Sequence, residues 1–108
     1  MNLYGLPNCD TCRKAAKALS AAGHQVRLHD VRAEPLSPAQ IAALLDRFGE
    51  RLINRSSTTW RNLPEPERQS EPAALLAAHP ALMKRPVIDA GGVLHLGFGP
   101  DVRGALLD

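Results

Sequence analysis

A chain of 108 residues holds one ordinary domain rather than two. Its 44% apolar content supports a core, while 22% charged residues and a formal charge of +2 give neither the basic footprint of a nucleic-acid binder nor an acidic surface. No apolar run nears the roughly 20 residues of a membrane span, and the opening MNLYGL lacks the basic start and apolar segment of a signal peptide. A cytoplasmic protein without membrane or nucleic-acid partners is expected, as is a monomer.

MNLYG reads as a short strand, and Pro7-Asn8 as a turn into DTCRKAAKALSAAG. There Cys12, Ala15, Ala16, Leu19 and Ala22 recur at helical spacing, with Gly23 as the stop. HQVRLHDV alternates Val26, Leu28 and Val31 with polar residues, as a second strand would. Strand, helix and strand in succession imply parallel pairing through a right-handed crossover.

Ser37-Pro38-Ala39-Gln40 is a capping box with proline at the first helical position, and Ile41, Leu44, Leu45 and Phe48 form the apolar stripe that follows, up to Gly49. Residues 51–69, with Pro64 and Pro66, read as loop or short helical turns around the polar block NRSSTTWRN. EPAALLAAH is a short helix ending before Pro80. PVIDA and VLHLG flank Gly91-Gly92 as a two-residue hairpin, and PDVRGALLD closes the chain as a helix. This order predicts an α/β fold, a mixed four-stranded sheet with a helical insertion, laid out as in thioredoxin-like proteins. Residues 1–108 are expected to form one domain, with the insert at about 37–80.

Both cysteines lie in LYGLPNCDTCRKA. In a reducing cytosol such a pair is more often catalytic or metal-binding than a structural staple. Cys9, at a strand-to-helix turn, meets free backbone N–H groups and the positive end of a helix dipole, both of which favour the thiolate. Cys12, one turn later, is close enough to attack an adduct on Cys9. Zinc would need two more ligands. His24, His29, His79 and His95 are scattered and read as solvated strand-edge or loop residues, so no metal is expected. Asn8, Asp10 and Thr11 are placed to cap the helix or line the loop, where backbone N–H groups could cradle an anion. Ten of the thirteen basic residues are arginine, the side chain suited to bidentate anion capture.

Three blocks, YGLPNCDTCRKA, LINRSSTTWRNL, and ALMKRPVI followed by LGF, make the sequence resemble the arsenate reductase-related ArsC/Spx family, most of all its YffB-type branch. The resemblance implies a thioredoxin-like fold with a helical insertion and carries Cys9 onto the catalytic cysteine. It carries Arg55 in INRSS and Arg85 in KRPVI onto arginines of an oxyanion pocket, and Pro86 onto the position of a cis-proline beside the site. Asn8 joins Arg55, Arg85 and Pro86 as a substrate-binding candidate. Trp60, beside these blocks, reads as a packing residue rather than a stacking platform.

Two departures from the family shape the expected function. Glutaredoxin-linked arsenate reductases carry a third arginine after the hairpin, whereas HLGFGPD here has none between Arg85 and Arg103. Cys12 stands where many relatives lack cysteine, though Spx regulators use a C-x-x-C as an oxidation switch. The expectation is a thiol-dependent reductase with nucleophilic Cys9, resolved by Cys12 or by glutathione as co-substrate, with no tightly bound cofactor and with glutaredoxin as a candidate partner. The alternatives are arsenate reduction and a redox-sensing regulator that binds RNA polymerase.

Overall fold

Four short strands and six α-helices form along residues 1–107, the residues that the computed structural model describes. The strands are β1 (Asn2–Gly5), β2 (Arg27–Asp30), β3 (Val87–Ala90) and β4 (Val93–Leu96). The helices are α1 (Asp10–Ala21), α2 (Pro38–Phe48), α3 (Thr58–Arg61), α4 (Glu65–Arg68), α5 (Pro72–Ala78) and α6 (Pro100–Leu107). Two compact units result: Met1–Val31 together with the segment from Arg85 onward, and Arg32–Lys84.

The first unit is a sheet of order β2-β1-β3-β4, with β1 and β2 parallel and the other two pairings antiparallel. Leu3 faces Leu28 on one side and Ile88 on the other. Because side chains alternate along a strand, Leu3 and Ile88 point to one face, where Cys12, Ala15 and Leu19 of α1 and Val102 of α6 bury against them. The helix presents these residues at i, i+3 and i+7, so one stripe enters the core and Lys14 and Lys17 stay in water. Each large apolar side chain buried this way contributes about 1.5–3 kcal/mol.

Gly23 stops α1 through its backbone: at φ +97 it lets its own N–H reach the Ser20 carbonyl and the His24 N–H reach Leu19. The second strand covers only Arg27–Asp30 of the expected 24–31, and Val31 lies buried just beyond it. Gly91 and Gly92 both take positive φ, as the two-residue hairpin turn between β3 and β4 requires.

In the second unit Ser37 accepts from the Gln40 N–H while the Gln40 side chain accepts from the Ser37 N–H, the full capping box. Ile41, Leu44 and Phe48 are buried, as are Leu52, Leu63, Leu75, Leu76 and Leu82. The polar stretch 51–69 folds into the short turns expected of it: Ser57 caps α3 at the Trp60 N–H, and α4 follows Pro64. Ile53 and Met83 form an isolated antiparallel bridge, flanked by Lys84 N–H to Leu52 O at 2.7 Å and Asn54 N–H to Leu82 O at 2.8 Å.

Candidate active site

The turn Leu6-Pro7-Asn8-Cys9 closes with Cys9 N–H to Leu6 O at 3.1 Å, and Cys9 then serves as the N-cap of α1, its backbone extended at φ −91, ψ 120. Proline at the second position of such a turn presets the backbone, and Asn8 follows it, exposed. Of the two expected roles for Asn8, Asp10 and Thr11, capping the helix or lining the loop, the first is not taken: Cys9 is the N-cap, Asn8 stands one residue before it, and Asp10 and Thr11 are already inside the first turn. Asp10 pairs with Arg13 one turn along instead, and this ion pair explains how a basic residue is tolerated in the first turn of α1.

Cys9 is half-buried and carries no formal capping bond as a thiol, but the N–H of Cys12, at position N3, points toward its sulfur. Partial burial alone would raise the Cys9 thiol. That effect is outweighed by the Cys12 N–H, by the Cys12 thiol and by the Arg85 guanidinium, which hydrogen-bonds and attracts the sulfur, so Cys9 ionises below its ordinary value. Arg85 reaches it from the approach to β3: β1 and β3 run antiparallel with Tyr4 opposite Val87, so the end of β1 and the start of β3 share one end of the sheet. Between Arg85 and the strand lies Pro86, fully buried, and the Arg85–Pro86 peptide bond is cis, as the family resemblance implied.

Cys12 behaves differently. Cys12, on the apolar stripe of α1, has 0% accessibility and packs in the core with Leu3, Ala15 and Leu19. Burial pushes its thiol up to about 11, against a lowering contribution from the Leu6 N–H and with a further rise from neighbouring Cys9. Its sulfur lies so near Gly5 that a methyl group on that glycine would overlap it. Sequence reasoning missed Gly5, although a glycine at the end of a short strand is itself a sign of close approach.

Arg55 belongs to the second unit, where it pairs with Glu50 at 3.2 Å and lies over the Trp60 ring, 5.2 Å from its centroid. Arg68 lies over the same ring at 5.8 Å, so half-buried Trp60 is flanked by two guanidinium groups rather than only packed. The histidines are also less solvated than expected. His29 stacks on Tyr4 with centroids 4.8 Å apart, His24 Nε2 meets Leu106 O at 3.1 Å, and His79 faces Glu67 at 3.4 Å. Among the described residues no three His, Cys, Asp or Glu side chains converge.

This arrangement yields one thiolate that is accessible and cation-stabilised, beside one thiol that is buried and protonated. Iodoacetamide should therefore modify Cys9 with a pH midpoint below that of an ordinary cysteine, and Arg85→Ala should raise that midpoint while Arg85→Lys restores part of it. An Arg85→Ala midpoint equal to the wild-type value would show that the guanidinium does not stabilise the sulfur.

A family model described as the ArsC family matches residues 4–105. An uncharacterized protein of Haemophilus influenzae is 38% identical over 103 residues, covering 91% of this chain and 90% of that protein. The solved structure of a YffB protein superposes with a TM-score of 0.90 at 31% identity over 99% of this chain and 98% of that one. An arsenate reductase-related protein from Brucella melitensis is 36% identical, with a TM-score of 0.75 over 96% of this chain and 91% of its own. With the family model spanning almost its whole length, and relatives this similar along more than nine-tenths of it, the chain belongs to the ArsC family.

Proposed function

We propose that the protein is a glutathione-dependent thiol reductase of the cytoplasm, acting on mixed disulfides through Cys9. The observation that carries this reading is the half-buried Cys9 sulfur at the start of α1, with its thiolate favoured by the Arg85 guanidinium and the Cys12 N–H. A cation beside a nucleophilic cysteine is what disulfide exchange needs, because the thiolate is the attacking species.

The Cys9 thiolate attacks the glutathione sulfur of a substrate mixed disulfide. A Cys9–glutathione disulfide forms, and the substrate leaves as a thiolate that takes a proton from water. A glutathione thiolate then attacks that adduct, giving oxidised glutathione and returning Cys9 as thiolate, so one free glutathione is consumed for each mixed disulfide, its partner sulfur coming from the substrate. Asn8 stands beside the nucleophile in the turn, buried Pro86 fixes the backbone that carries Arg85, and Arg85 is assigned to a glutathione carboxylate, with Arg55 kept as a second such candidate by the family resemblance. No tightly bound cofactor is required, and glutaredoxin is a candidate partner in recycling.

Arsenate reduction, the activity in the name of the Brucella relative, fits this chain less well. The loop after β4 offers no arginine before Arg103, whose guanidinium lies over the Phe98 ring at 5.4 Å. A missing charge-assisted bond to the oxyanion would cost roughly 1.5–3 kcal/mol.

The test is reduction of a glutathionylated peptide with glutathione as the sole reductant, with mass spectrometry of the acid-quenched enzyme. The expected result is a rate that rises with glutathione concentration and a single glutathione on Cys9. Turnover indifferent to glutathione, with arsenate reduced instead, would replace the proposal by the arsenate reading.

A further inference from the structure

The loop after β4 is tied to the surroundings of the nucleophile. Buried Gly97 donates its N–H to the Pro86 carbonyl at 2.7 Å, so the loop is anchored on the residue that follows Arg85. Phe98 comes next and packs, half-buried, against the core cluster around Leu3, Cys12 and Ile88 that Cys9 also borders. Arg103, whose N–H donates to the Gly99 carbonyl at 2.9 Å, lays its guanidinium over the Phe98 ring, 5.4 Å from the centroid. Arg13, Arg55 and Arg68 each pair with a carboxylate. Arg103 is exposed and pairs with none among the described residues, and Asp101, two residues before it in α6, turns its carboxylate back to Gly99 instead. A guanidinium stacked by its face on a ring keeps its edge N–H groups free for a carboxylate, and the ring orders the side chain before any ligand arrives.

Resting on the reductase reading, we propose that Arg103, braced on Phe98, binds the second carboxylate of the glutathionyl group while Arg85 holds the first. Arg55, the other candidate for that carboxylate, is already engaged by Glu50. Glutathione carries a carboxylate on each side of its sulfur, one on the γ-glutamyl residue and one on the glycine, each several bonds away. A cation standing on an aromatic ring suits a group at that remove better than an oxyanion bonded to Cys9 itself. The pair also sets substrate choice: a mixed disulfide whose small half lacks carboxylates meets the same nucleophile but loses this anchor.

The test compares KM and kcat at saturating glutathione for a glutathionylated peptide and for the same peptide capped with 2-mercaptoethanol, in wild type, Arg103→Ala, Arg103→Lys and Phe98→Leu. Arg103→Ala should raise KM for the glutathionylated peptide about five- to tenfold with most of the effect in KM rather than kcat, the mark of a lost binding contact. Lysine keeps the charge without the fork and should recover part of the loss. The effect should shrink to less than about twofold on the 2-mercaptoethanol disulfide, which has no carboxylate to lose. Phe98→Leu should shift KM in the same direction by a smaller factor. A second readout needs no turnover: S-methylglutathione should protect Cys9 from iodoacetamide, and Arg103→Ala should need a higher concentration for the same protection. An unchanged KM in Arg103→Ala, an equal rise on both peptides, a Phe98→Leu enzyme indistinguishable from wild type, or protection indifferent to Arg103 would each overturn the proposal. If no form of the enzyme reduces the glutathionylated peptide, the reductase reading fails, and the protection assay still decides whether Arg103 binds the tripeptide.

Discussion

Cys9→Ser is expected to lower the rate of mixed-disulfide reduction by at least about 10³-fold while leaving the fold in place. A serine hydroxyl stays protonated across the whole working pH range, and Arg85 and the Cys12 N–H cannot bring it near ionisation. Position 9 is also the N-cap of α1, where serine is favoured over cysteine because its oxygen accepts readily from the N2 and N3 amides. Loss of activity in this variant therefore cannot be ascribed to a weakened helix: its urea midpoint should equal or slightly exceed the wild-type value. Measured together, the two quantities separate chemistry from stability. Retained turnover would remove Cys9 from the reaction.

Gly5→Ala is expected to destabilise the protein by about 1–3 kcal/mol, a large effect for the addition of one methyl group. The backbone at Gly5 does not take a positive φ, so alanine itself is not strained there. A more restricted unfolded chain would even offset about 0.4–1 kcal/mol of the cost. The penalty comes from the sulfur of Cys12, which the new methyl would overlap, and which the core residues around it leave little room to move. Combining Gly5→Ala with Cys12→Ala opens the space. The double variant should then be more stable than the sum of the two single effects predicts, with a coupling of about 0.5–3 kcal/mol in urea unfolding. Additive effects would mean that the sulfur moves aside freely and that the contact has no energetic weight.

Much of the fold was legible because its signals are local. The Ser37–Gln40 capping box, the Gly23 stop and the Gly91-Gly92 turn each need only a few neighbouring residues to act, and all three form where the sequence places them. The position of Cys9 at the head of α1 was legible for the same reason. Long-range contacts were harder to read. That Arg85 would reach Cys9 depends on the register of β1 against β3, which no short window contains; it came from the family resemblance. The apolar stripe of α1 already included Cys12, but the close approach of its sulfur to Gly5 joins a helix to a strand and no helical period reveals it. Trp60 was read by the average behaviour of indoles, whereas its surroundings are set by Arg55 and Arg68, of which only Arg55 is near it in sequence.

The antiparallel pairing of β1 with β3 also sets a schedule. A ribosome releases Cys9 and α1 early, and the arginine that sharpens the sulfur only after the whole of Arg32–Lys84 has been made. Contacts this distant along the chain form late, because a long loop must close before they stabilise anything. The growing chain therefore carries a Cys9 that has the support of its own helix but not yet that of Arg85. The last strands to fold add the guanidinium, so the full reactivity of Cys9 is reached only in the complete chain.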